Sequence, residues 1–145
     1  MSEPTGASDR RTGLTVLSEA DCWDRLRSEE VGRVAVTVGT APDIFPVNYR
    51  VHRDEIVIRT EAGTKLVSAV LMPAVAFEID GIDHDRHEGW SVVVKGRGRE
   101  PTHLDELVAL DDLGLEPWAD ALKTRWLVIT PTEVTGRSTA SRRRV

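Results

Sequence analysis

The chain has 145 residues, enough for one compact domain with its own core. Apolar residues make up 40% and charged residues 30%, the balance of a soluble globular protein. A net charge of −5 argues against sequence-blind nucleic-acid binding, which runs on phosphate neutralisation, but leaves room for a local basic pocket.

The only cysteine, Cys22, excludes an internal disulfide and fits a reducing compartment. Residues 1–14 are polar and without periodicity, which predicts a disordered tail. They carry no apolar run of the signal-peptide or anchor kind, and no later segment reaches the ~20 apolar residues of a membrane helix. The expectation is a cytoplasmic protein with neither a membrane nor a nucleic-acid partner.

The first predicted element is a helix from about Glu19 to Glu29. Ser18 serves as its N-cap, and Ala20, Trp23 and Leu26 share one face. Cys22 lies within it and reads as a small buried apolar residue. VGRVAVTV alternates as a strand and GTAPD turns the chain. IFPVNYRV is the next strand, with Phe45, Val47, Tyr49 and Val51 on one face. Pro46 cannot donate to a ladder, so it marks an edge, a bulge or an opening. Arg53-Asp54 joins this strand to EIVIRT as an antiparallel hairpin.

A short helix from Thr64 to about Leu71 ends before Pro73. AVAFEID is a strand, GIDHDRHE a charged loop, and GWSVVVKGRGRE a long strand. Gly96 and Gly98 in it predict a bend or a close backbone approach. Thr102 caps a helix reaching about Leu113, and LGLEPWADALK is irregular or a short helix. TRWLVITP is the last clear strand, EVTGRS can extend the sheet, and residues 139–145 form a solvated basic tail. Six or seven strands joined mostly by tight turns predict a mainly β fold, a small antiparallel barrel with flanking helices. No GxGxxG follows the first strand, so a Rossmann fold is excluded.

The richest local signal is VIRTEAGTKLVSAV, where a strand hands over to a helix. Arg59, Thr60, Gly63, Thr64 and Lys65 fall within seven positions. Gly63 permits close backbone approach, Thr64 can cap the helix, and Arg59 offers a planar fork suited to phosphate. Lys65 sits where a cation opposes the helix dipole unless an anion is present. A phosphate cradle and a plain capped helix with solvated charges both satisfy this spacing. It is not a Walker A loop, because GTK replaces GK[ST] and the earlier glycine is missing.

In FPVNYRV, Pro46 and Asn48 leave backbone groups free of the ladder, able to hydrogen-bond a planar heterocycle or simply solvent. Trp23 reads as core, while Trp90 stands at a strand start where it can cover a ligand or a subunit partner. Trp126 lies beside Arg125. The loop holding Asp83, His84, Asp85, His87 and Glu88 lacks a helical H-E-x-x-H and reads as solvated, with no metal. No G-x-S-x-G elbow or other nucleophile is present.

FPVNYRV, IVIRTEAGTKL, AVAFEIDGID, EGWSVVVKGRG and TRWLVITPTEVTGR, in this order, resemble the pyridoxamine 5′-phosphate oxidase-like flavin-binding split barrels. The likeness is to their small actinobacterial-type members and covers roughly residues 15–138. It implies a six-stranded antiparallel split β-barrel, usually a homodimer, with FMN bound at the subunit interface. Arg59, Thr60, Thr64 and Lys65, with Gly63 in the turn, would then hold the FMN phosphate. Val47 and Asn48 would meet the isoalloxazine, largely through backbone. Trp90 and Ser91 would complete the site from the partner subunit, with Trp126 and Arg125 as further candidates.

The C-terminal arginine-rich substrate motif of true pyridoxamine phosphate oxidases is missing, so pyridoxal phosphate synthesis is not expected. Related members bind a deazaflavin or haem. The resemblance implies an FMN-dependent oxidoreductase acting on a small redox substrate. A non-catalytic flavin module, a deazaflavin-dependent reductase and a cofactor-free dimer are its alternatives.

Overall fold

A computed structural model describes residues 7–8, 14–62, 65–117 and 124–139. Gly63, Thr64 and Trp118, and the tails apart from Ala7, Ser8, Leu14 and Thr139, lie outside the described residues. In chain order the elements are β1 (Thr15–Val16), α1 (Glu19–Ser28), β2 (Val31–Val38), β3 (Ala41–His52), β4 (Glu55–Glu61) and α2 (Lys65–Val70). They continue with β5 (Val75–Asp83), β6 (Glu88–Arg99), α3 (Leu104–Asp111) and β7 (Thr124–Ser138).

The strands pair antiparallel in the order β7-β4-β3-β2-β5-β6, and a β6–β7 ladder closes the ring. Six strands therefore form the barrel, and two-residue β1 adds to the outer edge of β7. Ser8 bridges Thr15 and the Val16 N–H donates to the Ala7 carbonyl, so the tail is tied down at that point.

Period-two alternation builds the core. Val34, Val36, Val47, Tyr49, Ile56, Ile58, Phe77, Ile79, Val92, Val94, Leu127 and Ile129 all turn inward. Tyr49 meets Phe77 edge to face at 4.8 Å between centroids. The Ser18 hydroxyl accepts from the Asp21 N–H at 3.0 Å and starts α1, which buries Cys22 and Leu26. The Tyr49 hydroxyl donates to the Leu26 carbonyl at 2.6 Å, tying that helix to β3. Outside the barrel, α3 covers a second cluster of Val57, Leu110, Leu115, Trp126 and Val128.

Several predicted boundaries move. α1 stops at Ser28, while the predicted start of α2 at Thr64 lies outside the described residues, which resume within the helix at Lys65. α3 begins at Leu104 with His103, not Thr102, in the capping place, and that cap has no side-chain hydrogen bond. TRWLVITP and EVTGRS are one 15-residue strand, because two different neighbours support its halves: β4 early, β6 later. Arg53 and Asp54 both take left-handed conformations, φ 51° and 57°, as a two-residue hairpin turn requires. Both predictions for the glycines hold. The β6–β7 register shifts between Lys95 and Gly96, and a Cβ on Gly98 would lie 1.8 Å from the Val70 carbonyl oxygen at the end of α2.

Candidate functional site

The ladder between β3 and β4 is short. It runs from His52↔Glu55 to Tyr49↔Ile58 and stops. The next positions on the two strands are Asn48 and Arg59, where the strands part. Beyond this fork β3 continues against β2 alone, and β4 against β7 alone. The Tyr49 N–H donates to the Glu30 carbonyl on the β2 side, so alternation turns the backbone N–H groups of even positions away from β2. Pro46 falls on that unpaired side. Its missing N–H therefore costs the ladder nothing, and the opening expected from this proline is present.

Asn48 and Arg59 both face outward, and the segment after α3 fills the fork between them. Arg59 Nε donates to Thr124 Oγ1 at 3.0 Å and its Nη1 to the Leu115 carbonyl at 3.2 Å. Asn48 Nδ2 donates to the Glu116 carbonyl at 3.2 Å. The Arg59 guanidinium carbon lies over the Trp126 ring, 5.0 Å from its centre, a cation–π contact. Trp126 is itself 8% exposed within the α3 cluster. The Glu116 carboxylate stands 3.8 Å from Arg59 Nη1, an ion pair but not a hydrogen bond. A groove of about 440 Å³ opens here, lined by Glu30, Asn48, Arg50, Leu115, Glu116 and Pro117 among others.

The other predicted residues divide by geometry. Thr60 alternates to the face opposite Arg59 and pairs with Arg125, whose guanidinium bonds Glu100. Lys65 is the first described residue of α2, is exposed, and makes no ion pair among the described residues. Val47 turns its side chain into the core and, like Tyr49, its backbone groups toward β2, opposite Gly32, so the expected backbone contact from Val47 does not face the fork.

Trp90 and Ser91 lie elsewhere. Trp90 pairs with Ser138 at the far end of β7, while Arg59 pairs with Trp126 near its start. At about 3.3 Å per residue those ends are separated by roughly 40 Å of strand. Trp90 packs against the main core under the Arg25 guanidinium, 4.6 Å from its ring centre.

Leu115 and Glu116 are the site residues that sequence reading missed. They sit in a stretch without periodicity, and their contacts to positions 59 and 48 span more than fifty residues. The loop of His84 and His87 is organised by Asp83, whose carboxylate accepts from the N–H groups of Asp85 and Arg86. Among the described residues no three His, Cys, Asp or Glu side chains gather closely enough to hold a metal ion.

Other charges fasten the shell of the barrel. Arg99 bonds Glu106 of α3 and Glu55 of β4. The hydrogen bond from Arg99 holds the Glu106 carboxyl below its usual range. Arg33 reaches both Glu78 and Asp80. Burial, with the hydrogen bond that protonated Glu78 can donate to Asp80, still pushes the Glu78 carboxyl up. Burial likewise raises the Cys22 thiol, which suits a packing role.

Residues 18–138 match the family described as Pyridoxamine 5′-phosphate oxidase, and the chain belongs to that family. An FAD binding protein from Mycobacterium smegmatis is 42% identical, with a TM-score of 0.77 over 86% of this chain and 97% of that one. An uncharacterized protein of Mycobacterium tuberculosis is 35% identical over 125 residues, spanning 83% of this chain and 82% of its own length. An FAD-binding protein from Mesorhizobium loti has a TM-score of 0.70 over 88% of this chain and 99% of that one. At 22% identity it shares the fold alone. The fold is thus the split barrel that flavin-binding relatives use.

Proposed function

We propose that this chain binds a flavin nucleotide at the β3–β4 fork and works as a homodimeric oxidoreductase on a small redox substrate. One observation carries the reading. Asn48 and Arg59 are the first outward-facing positions past the point where two strands part, both bonded to the Leu115–Glu116 segment, and Asn48 lines an open groove there. The donor set fits a nucleotide. Arg59 spends Nε and Nη1 on the protein, while its Nη2 has no hydrogen-bond partner among the described residues. Lys65 adds a second cation, with no ion pair among the described residues, in keeping with the anionic phosphate that FMN and FAD share. The 42% identity to an FAD-binding protein supports a flavin over other anions.

A bound flavin supplies hydride and single-electron chemistry, which is why no catalytic dyad is required. The chain's own residues bind and orient. Arg59, seated over Trp126, neutralises the phosphate, and the unpaired edge of β3 at Asn48 offers backbone hydrogen bonds to a planar ring. Trp90 and Ser91 are too far along β7 to join Arg59 in one protomer. In a symmetric dimer the partner's copy can bring them to the groove.

The test is the visible spectrum of the purified chain, with the released chromophore identified by mass. The expected result is one flavin per protomer, FMN or FAD, on a dimer. A bound deazaflavin would shift the assignment to a deazaflavin-dependent reductase. A colourless protein that retains no added flavin would overturn the proposal. Flavin that stays bound but is not reduced by any nicotinamide would favour a storage or sensing module.

A further inference from the structure

The fork contains an acidic group of its own chain. The Glu116 carboxylate stands 3.8 Å from Arg59, while the Glu116 carbonyl accepts from Asn48 and the Leu115 carbonyl accepts from Arg59. Two adjacent carbonyls and an anionic oxygen are the acceptors that a flavin nucleotide would itself present to these donors. The two residues are held very differently. Leu115 is 2% exposed, anchored among Leu110, Trp126 and Val57. The Glu116 side chain is 79% exposed, and its carboxylate makes no hydrogen bond among the described residues. The backbone is therefore a fixed wall, and the carboxylate is free to swing.

We propose that Glu116 is a built-in competitor for the anion that Arg59 binds. Its carboxylate occupies the approach to the guanidinium and moves aside when a phosphate seats. Flavin affinity is then set by an exchange of one anion for another. In the empty protein the same carboxylate keeps Arg59 from drawing in unrelated anions, since inorganic phosphate alone lacks the ring contacts that offset the displacement. This inference rests on the flavin reading above and deepens it, by naming the residue that tunes the site.

The test is titration of the full chain with FMN at low and high salt, comparing wild type with Glu116→Gln and Glu116→Asp. Glu116→Gln removes the charge and keeps the shape. It should bind FMN about fivefold more tightly at low salt, the scale of one charge at ~4 Å in water. The gain should vanish in about 1 M salt, where charges are screened within ~3 Å. Glu116→Asp should behave as wild type. Normal wild-type binding with an unchanged or weaker Glu116→Gln would overturn this inference and leave the flavin site standing. Wild type and Glu116→Gln both failing to take up FMN would overturn the two together.

Discussion

Arg59 touches a hydroxyl, a backbone carbonyl, a carboxylate and an indole face. Its place was legible in the sequence, because strand alternation opposes Arg59 to Ile58 and puts it at the end of a strand. Its partners were not. Leu115, Glu116 and Thr124 lie beyond two helices and two strands, and no local pattern announces contacts of that range. Tyr49 shows the opposite case, where strand periodicity placed it on a shared face with Val47, whereas the predicted α1 face of Ala20, Trp23 and Leu26 is rotated, with Ala20 exposed and Cys22 buried. Two predictions belong at this scale. Tyr49→Phe removes the buried donor to the Leu26 carbonyl, and the loss should be about 1 kcal/mol, read as a lower urea midpoint. The Cys22 thiol, 0% exposed and with its ionisation pushed up by burial, should react with a thiol reagent only as fast as the protein unfolds.

Elements were easier to find than their limits. Each predicted strand exists, since alternating Val and Ile bounded by turn residues is a strong signal. The hairpin turn at Arg53-Asp54 followed from its two-residue spacing. The joining of TRWLVITP to EVTGRS did not, because Pro131 between them looks like a stop. Pro131 pairs with Gly96 where the register slips, so the irregularity of the ladder accommodates it. The close packing of α2 on β6 should be intolerant of any side chain at Gly98. Gly98→Ala pushes a methyl into the Val70 carbonyl, and a destabilisation of at least ~1–3 kcal/mol is expected in denaturant unfolding. The tether of α3 to the barrel should be sensitive to acid. Arg99 lowers the Glu106 carboxyl in the folded state, so the unfolded chain binds the extra proton across that interval. The stability it adds is complete above the ordinary value of 4.5 and is lost as pH falls through the lowered one. Glu106→Gln should flatten that part of the stability curve, measured as thermal midpoint against pH.

At the scale of the whole molecule, the six-stranded ring, closed by β6 on β7, opens where β3 and β4 stop pairing. A proline in mid-strand marked that opening in the sequence. A closed barrel was expected too, but the strand order around the ring was not, because it is a long-range property. Trp90 and Arg59 pair with opposite ends of β7, and under the proposed function a partner subunit would bring them together. Trp90→Ala should therefore lower flavin affinity, while a mixed dimer carrying Trp90→Ala in one subunit and Arg59→Ala in the other should keep one good site of two, countable by flavin stoichiometry. The most direct single measurement is equilibrium titration of FMN against wild type and against Arg59→Ala with Lys65→Ala. Each lost charged hydrogen bond is worth roughly 1.5–3 kcal/mol, so the account predicts a double variant that folds normally and binds at least about tenfold more weakly. Equal affinity in the folded double variant would contradict it, and the phosphate would have to lie elsewhere than at the β3–β4 fork.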